Sequence, residues 1–476
     1  MKNLKPFSSV WWQGKSLWLL LPAILVFIVG KWADLSLPFF WDELGVYGRG
    51  ILHMVDHGPG MLPSSLPPEL SRGHPLFFYF FFSLGGWISG FSLPFLHGMA
   101  LWVTIGLFAA VYFAGKQLMG EWVGLAATLF MMVMPVVFAQ ATLILPEMML
   151  ALLVFLGLYT FFKKRFGWYF ILCGLALLTK ESAIVLPLAT ALFSMLTAQN
   201  LRIRNTAIAL SPLTVFALFL AVQRLQNGWW FFPYHVELVS FAPEEVIDKL
   251  GRILRFLFIA QGRWGGMVLL LIGVITFAWN TRKKATTLHP FFLLAGIFFL
   301  GWLGFSSLNF YMDRYFLAFF PVTGLFAAAG IREMSRLLEK KEIILAVPFA
   351  GVLILPLLNF TTPDFHYDVD ISFRRLVNVQ IQTTHFLEKE VAEGELFFAN
   401  FPLYNGFLDN RYGYMQTEGS FRPTVVYHDS LRIIAIIQPP LDAAYTIHID
   451  PAKEIWRYED GYSKAVVYDL KKDENF

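Results

Sequence analysis

Residues 144–165 read ILPEMMLALLVFLGLYTFFKKR. The stretch opens beside Pro146 and one acid, Glu147, stays apolar through Phe162, and closes on Lys163, Lys164 and Arg165. A hydrocarbon core about 30 Å thick needs roughly 20 mostly apolar helical residues at about 1.5 Å rise each. This stretch meets that length, and its basic end marks the cytoplasmic side under the positive-inside rule. The same pattern recurs in both directions along the chain, near 16–33, 95–115, 121–140, 166–180, 183–199, 206–223, 264–281, 289–308, 314–331 and 343–360, for eleven expected spans. Composition agrees, because 57% of the 476 residues are hydrophobic and 15% are charged, whereas soluble proteins carry about 25% charged residues. Fifty Phe help bring aromatics to 17%, a load suited to lipid-facing helices and interfacial belts. Disorder, coiled coil and a secreted disulfide scaffold are excluded. One cysteine, Cys173, builds no intramolecular disulfide, thiolate zinc site or iron–sulfur cluster. The net charge of +3 gives no ground for a nucleic-acid partner, and none is expected.

The first span follows Lys2, Lys5 and Lys15 and lacks a small-residue cleavage site, so a retained anchor and a cytoplasmic amino terminus are expected. Counting crossings from there puts Lys116, Lys163–Arg165, Arg202 and Arg204, Arg282–Lys284, and Arg332 through Lys341 inside. The loop 34–94, the stretch 224–263 and everything after about 361 fall outside. The apolar run 75–91 begins with proline, holds three glycines and is only 17 residues long. It therefore reads as an interfacial helix on the outer leaflet, paired with an earlier one at 41–57.

Residues 1–360 form the expected membrane domain and 361–476 a small extracytoplasmic α/β domain. In the latter, 371–393 has the pattern of an amphipathic helix, and ELFFAN, TVVYH, RIIAII, AYTIHI and KAVVYDL read as strands between turn signals. No GxGxxG, Walker or GxSxG motif is present, which argues against a nucleotide-driven pump.

Ionisable side chains at bilayer depth cost about 2.5 to 3.5 kcal/mol on insertion scales, so each is a functional hypothesis. Five clusters stand out, all on the outer side by the crossing count. Trp41-Asp42-Glu43 reads either as a helix start, its acids at the positive dipole end, or as a general base at the membrane surface. Arg72-Gly73-His74-Pro75 opens the interfacial helix with donors suited to a phosphate oxygen. Glu147 is a dipole partner or a second functional acid. Thr179-Lys180-Glu181 is a structural ion pair or a phosphate-holding cation. Asn309–Tyr315 contains Arg314 and Tyr315, interface anchors or a planar fork for phosphate. His53 and His57, at i and i+4 beside Asp56, have a spacing open to zinc but lack the HExxH acid. Glu244 and Glu245 after Pro243 mark a helix start.

Taken in order, DELGVYGRGILHMVDHG, GHPLFFYF, LPEMM, GLALLTKESAIVLPL and DRYFLAFFP resemble the GT-C integral-membrane glycosyltransferases, in particular the protein O-mannosyltransferase and lipid A aminoarabinose transferase group. The likeness runs over roughly residues 16–330. It implies a polyprenyl-phosphate sugar as donor, a glycan, lipid or protein hydroxyl as acceptor, and an inverting displacement at the anomeric carbon. It also implies that Asp42 is the catalytic acid of the first outer loop, with Glu43 its acidic neighbour and Glu147 the second acid, a place usually held by Asp. His74, Lys180, Arg314 and Tyr315 are implied to hold the donor phosphate. No metal and no cofactor is expected, and the location implied is the bacterial plasma (inner) membrane. A secondary transporter or lipid flippase is the competing expectation; it would carry midplane charges in broken helices of inverted repeats, whereas the charges here cluster at one face.

Overall fold

The computed structural model describes residues 16–197, 201–265, 268, 290–338, 354, 367–417, 421–428, 430–438 and 449–471. The expected spans 264–281 and 343–360 and the expected strand AYTIHI lie largely or wholly outside the described residues. Within them the chain is mostly helical. Four helices are long and apolar enough to cross a membrane: Ser16–Ser36, Leu93–Met119, Arg202–Asn227 and Pro290–Leu308. Five shorter apolar helices accompany them, Phe77–Ser89 among them. The shortening has local causes. The expected span 121–140 breaks after Met132 and resumes at Pro135, whose ring removes a donor from the helix ladder. The expected span 314–331 begins as a 3-10 stretch, Asp313–Phe319, before the α-helix Phe320–Leu338.

Leu93–Met119 and Glu121–Met132 are joined by Gly120 alone and cross tightly. A Cβ on Gly124 would stand 2.4 Å from the Tyr112 carbonyl oxygen, so only glycine permits this approach, the small-residue device of membrane helix pairs.

The expected helix 41–57 is realised as a π-turn, Glu43–Tyr47, running into the α-helix Gly48–His57. The run 75–91 is a helix over Phe77–Ser89 that packs on Gly48–His57.

The C-terminal sheet has five strands, β1 (Leu396–Ala399), β2 (Arg422–Thr424), β3 (Ile433–Gln438), β4 (Glu454–Asp460) and β5 (Ser463–Asp469), in the order β2-β1-β3-β5-β4. β1 pairs in parallel with β2 and β3, whereas β5 pairs antiparallel with β3 and β4. The helix Phe373–Glu390 covers β4 and β5. TVVYH is a correction: the strand is Arg422–Thr424, and the Thr424 hydroxyl accepts from the Val426 amide, turning the chain away. β4 was not expected, because EIWRYED alternates apolar with charged residues as edge strands do.

This unit is stitched to the first loop. The Tyr414 hydroxyl donates to the Phe39 carbonyl at 2.8 Å. Arg374 grips buried Asp34 with two nitrogens, at 2.7 and 2.9 Å. Arg411 reaches Asp56 with two nitrogens and also holds Asp409. The loop carrying Asp42 is thereby held between the helices and the sheet unit.

Candidate active site

Each polar side chain of the site sits where a helix starts or stops. After Phe40 the chain turns at Trp41, a non-glycine residue in the left-handed region (φ 52). Such a conformation is costly and persists only where surroundings enforce it. The turn separates the roles of the two neighbouring acids. Asp42 pairs with Arg314 and keeps 26% of its side chain exposed. Glu43 is fully buried. Its carboxylate accepts from the Phe40 amide at 2.9 Å and the Ile144 amide at 2.5 Å, and lies 3.3 Å from His97 Nε2.

Glu147 lies in the first turn of the helix that Pro146 opens, where the dipole favours a carboxylate. Lys180 ends the helix Phe166–Thr179 in an extended conformation, and Glu181 starts the 3-10 turn Glu181–Ile184. That break turns the Lys180 ammonium onto Glu147 at 2.8 Å and over the Tyr315 ring, 3.6 Å from its centroid. Arg314, in the 3-10 stretch, is 1% exposed. Its guanidinium contacts Asp42 and Asp368 and stands 3.5 Å from Glu147.

Asp368 is the member that the sequence reading missed. It follows the expected span 343–360 in YDVD, a run whose acids fall on the same side as the five clusters by the crossing count; that position was the available signal. Burial pushes its carboxyl above the usual carboxylate range; Arg314 opposes the shift and the nearby Asp42 adds to it. The cluster thus holds three carboxylates, Asp42, Glu147 and Asp368, against two cations, Lys180 and Arg314.

At its edge stands a second group. His74 Nδ1 lies 3.1 Å from both Glu181 carboxylate oxygens. The His235 ring packs on that of His74, with centroids 4.7 Å apart. Burial alone would raise the Glu181 carboxyl, but the charge and hydrogen bond of His74 bring it down to about 2. Burial, then the neighbouring His74, lowers His235 to about 4. His235, in the aromatic stretch 229–241, was read as part of an interface and carried no separate signal. Ligand atoms of His74, Glu181 and His235 all lie within 4.8 Å of one another, the one such His/Cys/Asp/Glu group among the described residues. The His53–His57 pair is different. The rings stack at 4.1 Å, His57 Nδ1 contacts the His53 carbonyl, and Asp56 is taken by Arg411.

Of the residues expected to act together, Asp42, Glu147, Lys180, Arg314 and Tyr315 meet in one contiguous cluster. His74 joins it through Glu181, the chain neighbour of Lys180. Glu43 lies beside Asp42 in the chain but bonds to other groups. Replacing Glu43 by Ala leaves the buried Phe40 and Ile144 amides without their acceptor, a loss of about 1–3 kcal/mol for each unpaired group. The expected result is a marked drop in thermal unfolding temperature of the purified protein. An Ala variant as stable as the parent would remove Glu43 from its anchoring role.

The bundle has the fold of the GT-C glycosyltransferases, and among the described residues four of its helices are long and apolar enough to cross a membrane. In particular, it is similar to ArnT from Cupriavidus metallidurans bound to undecaprenyl phosphate, with a TM-score of 0.60 and 13% identity over 95% of this chain and 98% of that one. The apo ArnT structure matches equally, with a TM-score of 0.60 and 13% identity over 94% and 97% of the two chains. The archaeal oligosaccharyltransferase AglB from Archaeoglobus fulgidus, in complex with an inhibitory peptide and a dolichol-phosphate, matches with a TM-score of 0.52 and 10% identity over 90% of this chain and 70% of that one. No family model and no curated protein matches the sequence.

Proposed function

We propose that this protein is an inverting glycosyltransferase that moves a hexosyl or pentosyl unit from a polyprenyl-phosphate donor to an acceptor hydroxyl at the outer face of the bacterial inner membrane. The observation that carries the reading is the meeting of Asp42, about a quarter exposed, with Lys180, Arg314 and Tyr315 in one cluster. The eleven-span count, the cytoplasmic amino terminus and the extracytoplasmic placement of residues 361–476 belong to the same reading. That the similar ArnT and AglB structures hold undecaprenyl phosphate and a dolichol-phosphate supports a lipid-phosphate donor here.

The chemistry follows from the cluster. Asp42 accepts the proton of the acceptor hydroxyl as that oxygen attacks the anomeric carbon from the face opposite the phosphate. The departing polyprenyl phosphate carries negative charge, which Lys180 and Arg314 stabilise by preorganised charge rather than by reorganising solvent. Glu147 and Asp368 hold those cations in place and keep them from straying toward water. Tyr315, packed under the Lys180 ammonium, and His74 border the phosphate. Glu43 is a positioning residue that pins the turn presenting Asp42. The C-terminal unit, stitched to the same loop, faces the acceptor, a glycan, lipid or protein hydroxyl.

The test is mass spectrometry of cell-envelope glycans with and without the protein, paired with transfer by purified protein in nanodiscs from polyprenyl-phosphate sugars. A sugar missing from one envelope component, and restored by the purified protein, is the expected outcome. Movement of the intact lipid or sugar across the bilayer without a new glycosidic bond would establish the flippase reading instead.

A further inference from the structure

Resting on the transferase reading, we infer that seating the donor phosphate loads one proton onto Asp368, so that donor binding and proton uptake are one linked event. Arg314 Nη2 contacts Asp42, its Nη1 contacts Asp368, and its Nε stands 3.5 Å from Glu147. Every nitrogen of the fork thus faces a carboxylate before any substrate arrives. A phosphate reaching this guanidinium brings its oxygens among three carboxylates, in a buried place where water screens little. Asp42, Glu147 and Asp368 against Lys180 and Arg314 already leave one negative charge in excess. A polyprenyl-phosphate sugar is a phosphodiester and adds another. Buried charge without compensation is costly, and a proton supplies the compensation.

Geometry selects the carboxylate that takes it. Asp42 is the accessible one, so water supports its charge. Glu147 keeps Lys180 at 2.8 Å whatever Arg314 does. Asp368 is buried, and among the described residues Arg314 is its only ion-pair partner. It also has no way out to water, because two glutamines pin the turn Tyr367–Val369 that carries it. Gln140 Nε2 donates to the Asp368 carbonyl at 2.8 Å, and Gln261 Nε2 donates to the Val369 carbonyl at 2.9 Å.

The charged groups facing Asp368 are Arg314 from the 3-10 stretch, Asp42 from the first loop and Glu147 from the helix that Pro146 opens. The helix Pro135–Gln140 brings none. Beyond Gln261 stands Arg263, whose Nη1 donates to the Gln261 Oε1 at 2.7 Å, and Asp370 is engaged by the Ser372 amide. Burial, Asp42 and Glu147 all push the Asp368 carboxyl up, and Arg314 holds it down. Once a phosphate takes up the guanidinium charge, the remaining influences favour the neutral acid. Neutral Asp368 still accepts from Arg314 through its carbonyl oxygen, so the fork keeps its place. A proton on Asp368 also leaves Asp42 ionised to act as the base.

The experiment titrates full-length protein in nanodiscs with undecaprenyl methyl phosphate, a phosphodiester with no proton of its own to lose near neutrality. Calorimetry in buffers of different ionisation heat counts the protons taken up. About one proton per diester is expected, and affinity falls by up to about tenfold per pH unit between the Asp368 pKa of the free protein and that of the complex, because binding that takes up a proton weakens as pH rises. Both effects vanish in Asp368→Asn, which binds the diester at least as tightly at the alkaline end. Both persist in His74→Gln, which removes the imidazole that borders the phosphate. Size exclusion and thermal melting check folding. Should Asp368→Asn misfold, difference infrared spectroscopy decides: a protonated-carboxyl band is expected when the diester binds the parent protein and again in Asp42→Asn, and its absence overturns the inference. Diester bound without proton uptake, or uptake kept in Asp368→Asn and lost in His74→Gln, also overturns the inference and leaves the transferase reading standing. A diester that binds at no pH overturns the donor-phosphate reading and the proton linkage with it.

Discussion

Asp42→Asn protein is expected to insert and fold like the parent and to transfer sugar about 10²–10⁴-fold more slowly, the usual worth of a general base. The isosteric amide keeps the size of the side chain and its place at the Trp41 turn, while it surrenders the lone pair that receives the acceptor proton. The loss falls on the chemical step, so binding of the polyprenyl-phosphate donor changes little. A pre-steady-state measurement of transfer at saturating donor, with the melting temperature recorded in parallel, separates these effects. Two outcomes count against the assignment. Transfer at the parental rate removes Asp42 from the proton path, and a lowered rate with an equal fall in folded fraction makes the residue structural. Glu147→Gln serves as the comparison, because Glu147 touches Lys180 and Arg314 and is buried, whereas Asp42 is the accessible carboxylate.

Arg314→Met is expected to be the most destabilising single change at this end of the bundle. The guanidinium is buried and touches Asp42, Asp368 and Glu147. Removing one partner from a buried ion network leaves uncompensated charge, at about 3–5 kcal/mol. Methionine preserves much of the volume, so cavity formation contributes little to the loss. The double variant Arg314→Met/Asp368→Asn is expected to recover part of the stability, with a coupling of about 0.5–3 kcal/mol, because one of the stranded carboxylates is gone. Denaturant or thermal unfolding in nanodiscs reads both. An Arg314→Met protein that melts with the parent, or a double variant less stable than the sum of its parts, would contradict the charge balance described above.

The amino-acid sequence alone determined much of what matters. Apolar length is a property summed over neighbouring residues, so the apolar helices were legible without coordinates, and Asp42, Glu147, Lys180 and Arg314 stood out as charged residues beside them. The strands β1, β3 and β5 were legible for the same reason, being apolar or β-branched runs between turns. β4 was not, since its charged, alternating residues look like a loop until β5 pairs with it.

Tertiary structure decided which polar groups touch. Asp42 and Glu43 are adjacent in the chain, and only the left-handed Trp41 turn with its surroundings sends one to Arg314 and the other into the core. Asp368 meets Arg314 from 54 residues away, and Asp42 meets it from 272. His235 joins His74 by packing of an aromatic loop on Gly73, and Glu181 meets His74 from the turn that follows Lys180. Periodicity carries information over a few turns of chain, whereas these partnerships depend on the closing geometry of distant segments, where buried charge must find compensation and no local pattern records where it comes from.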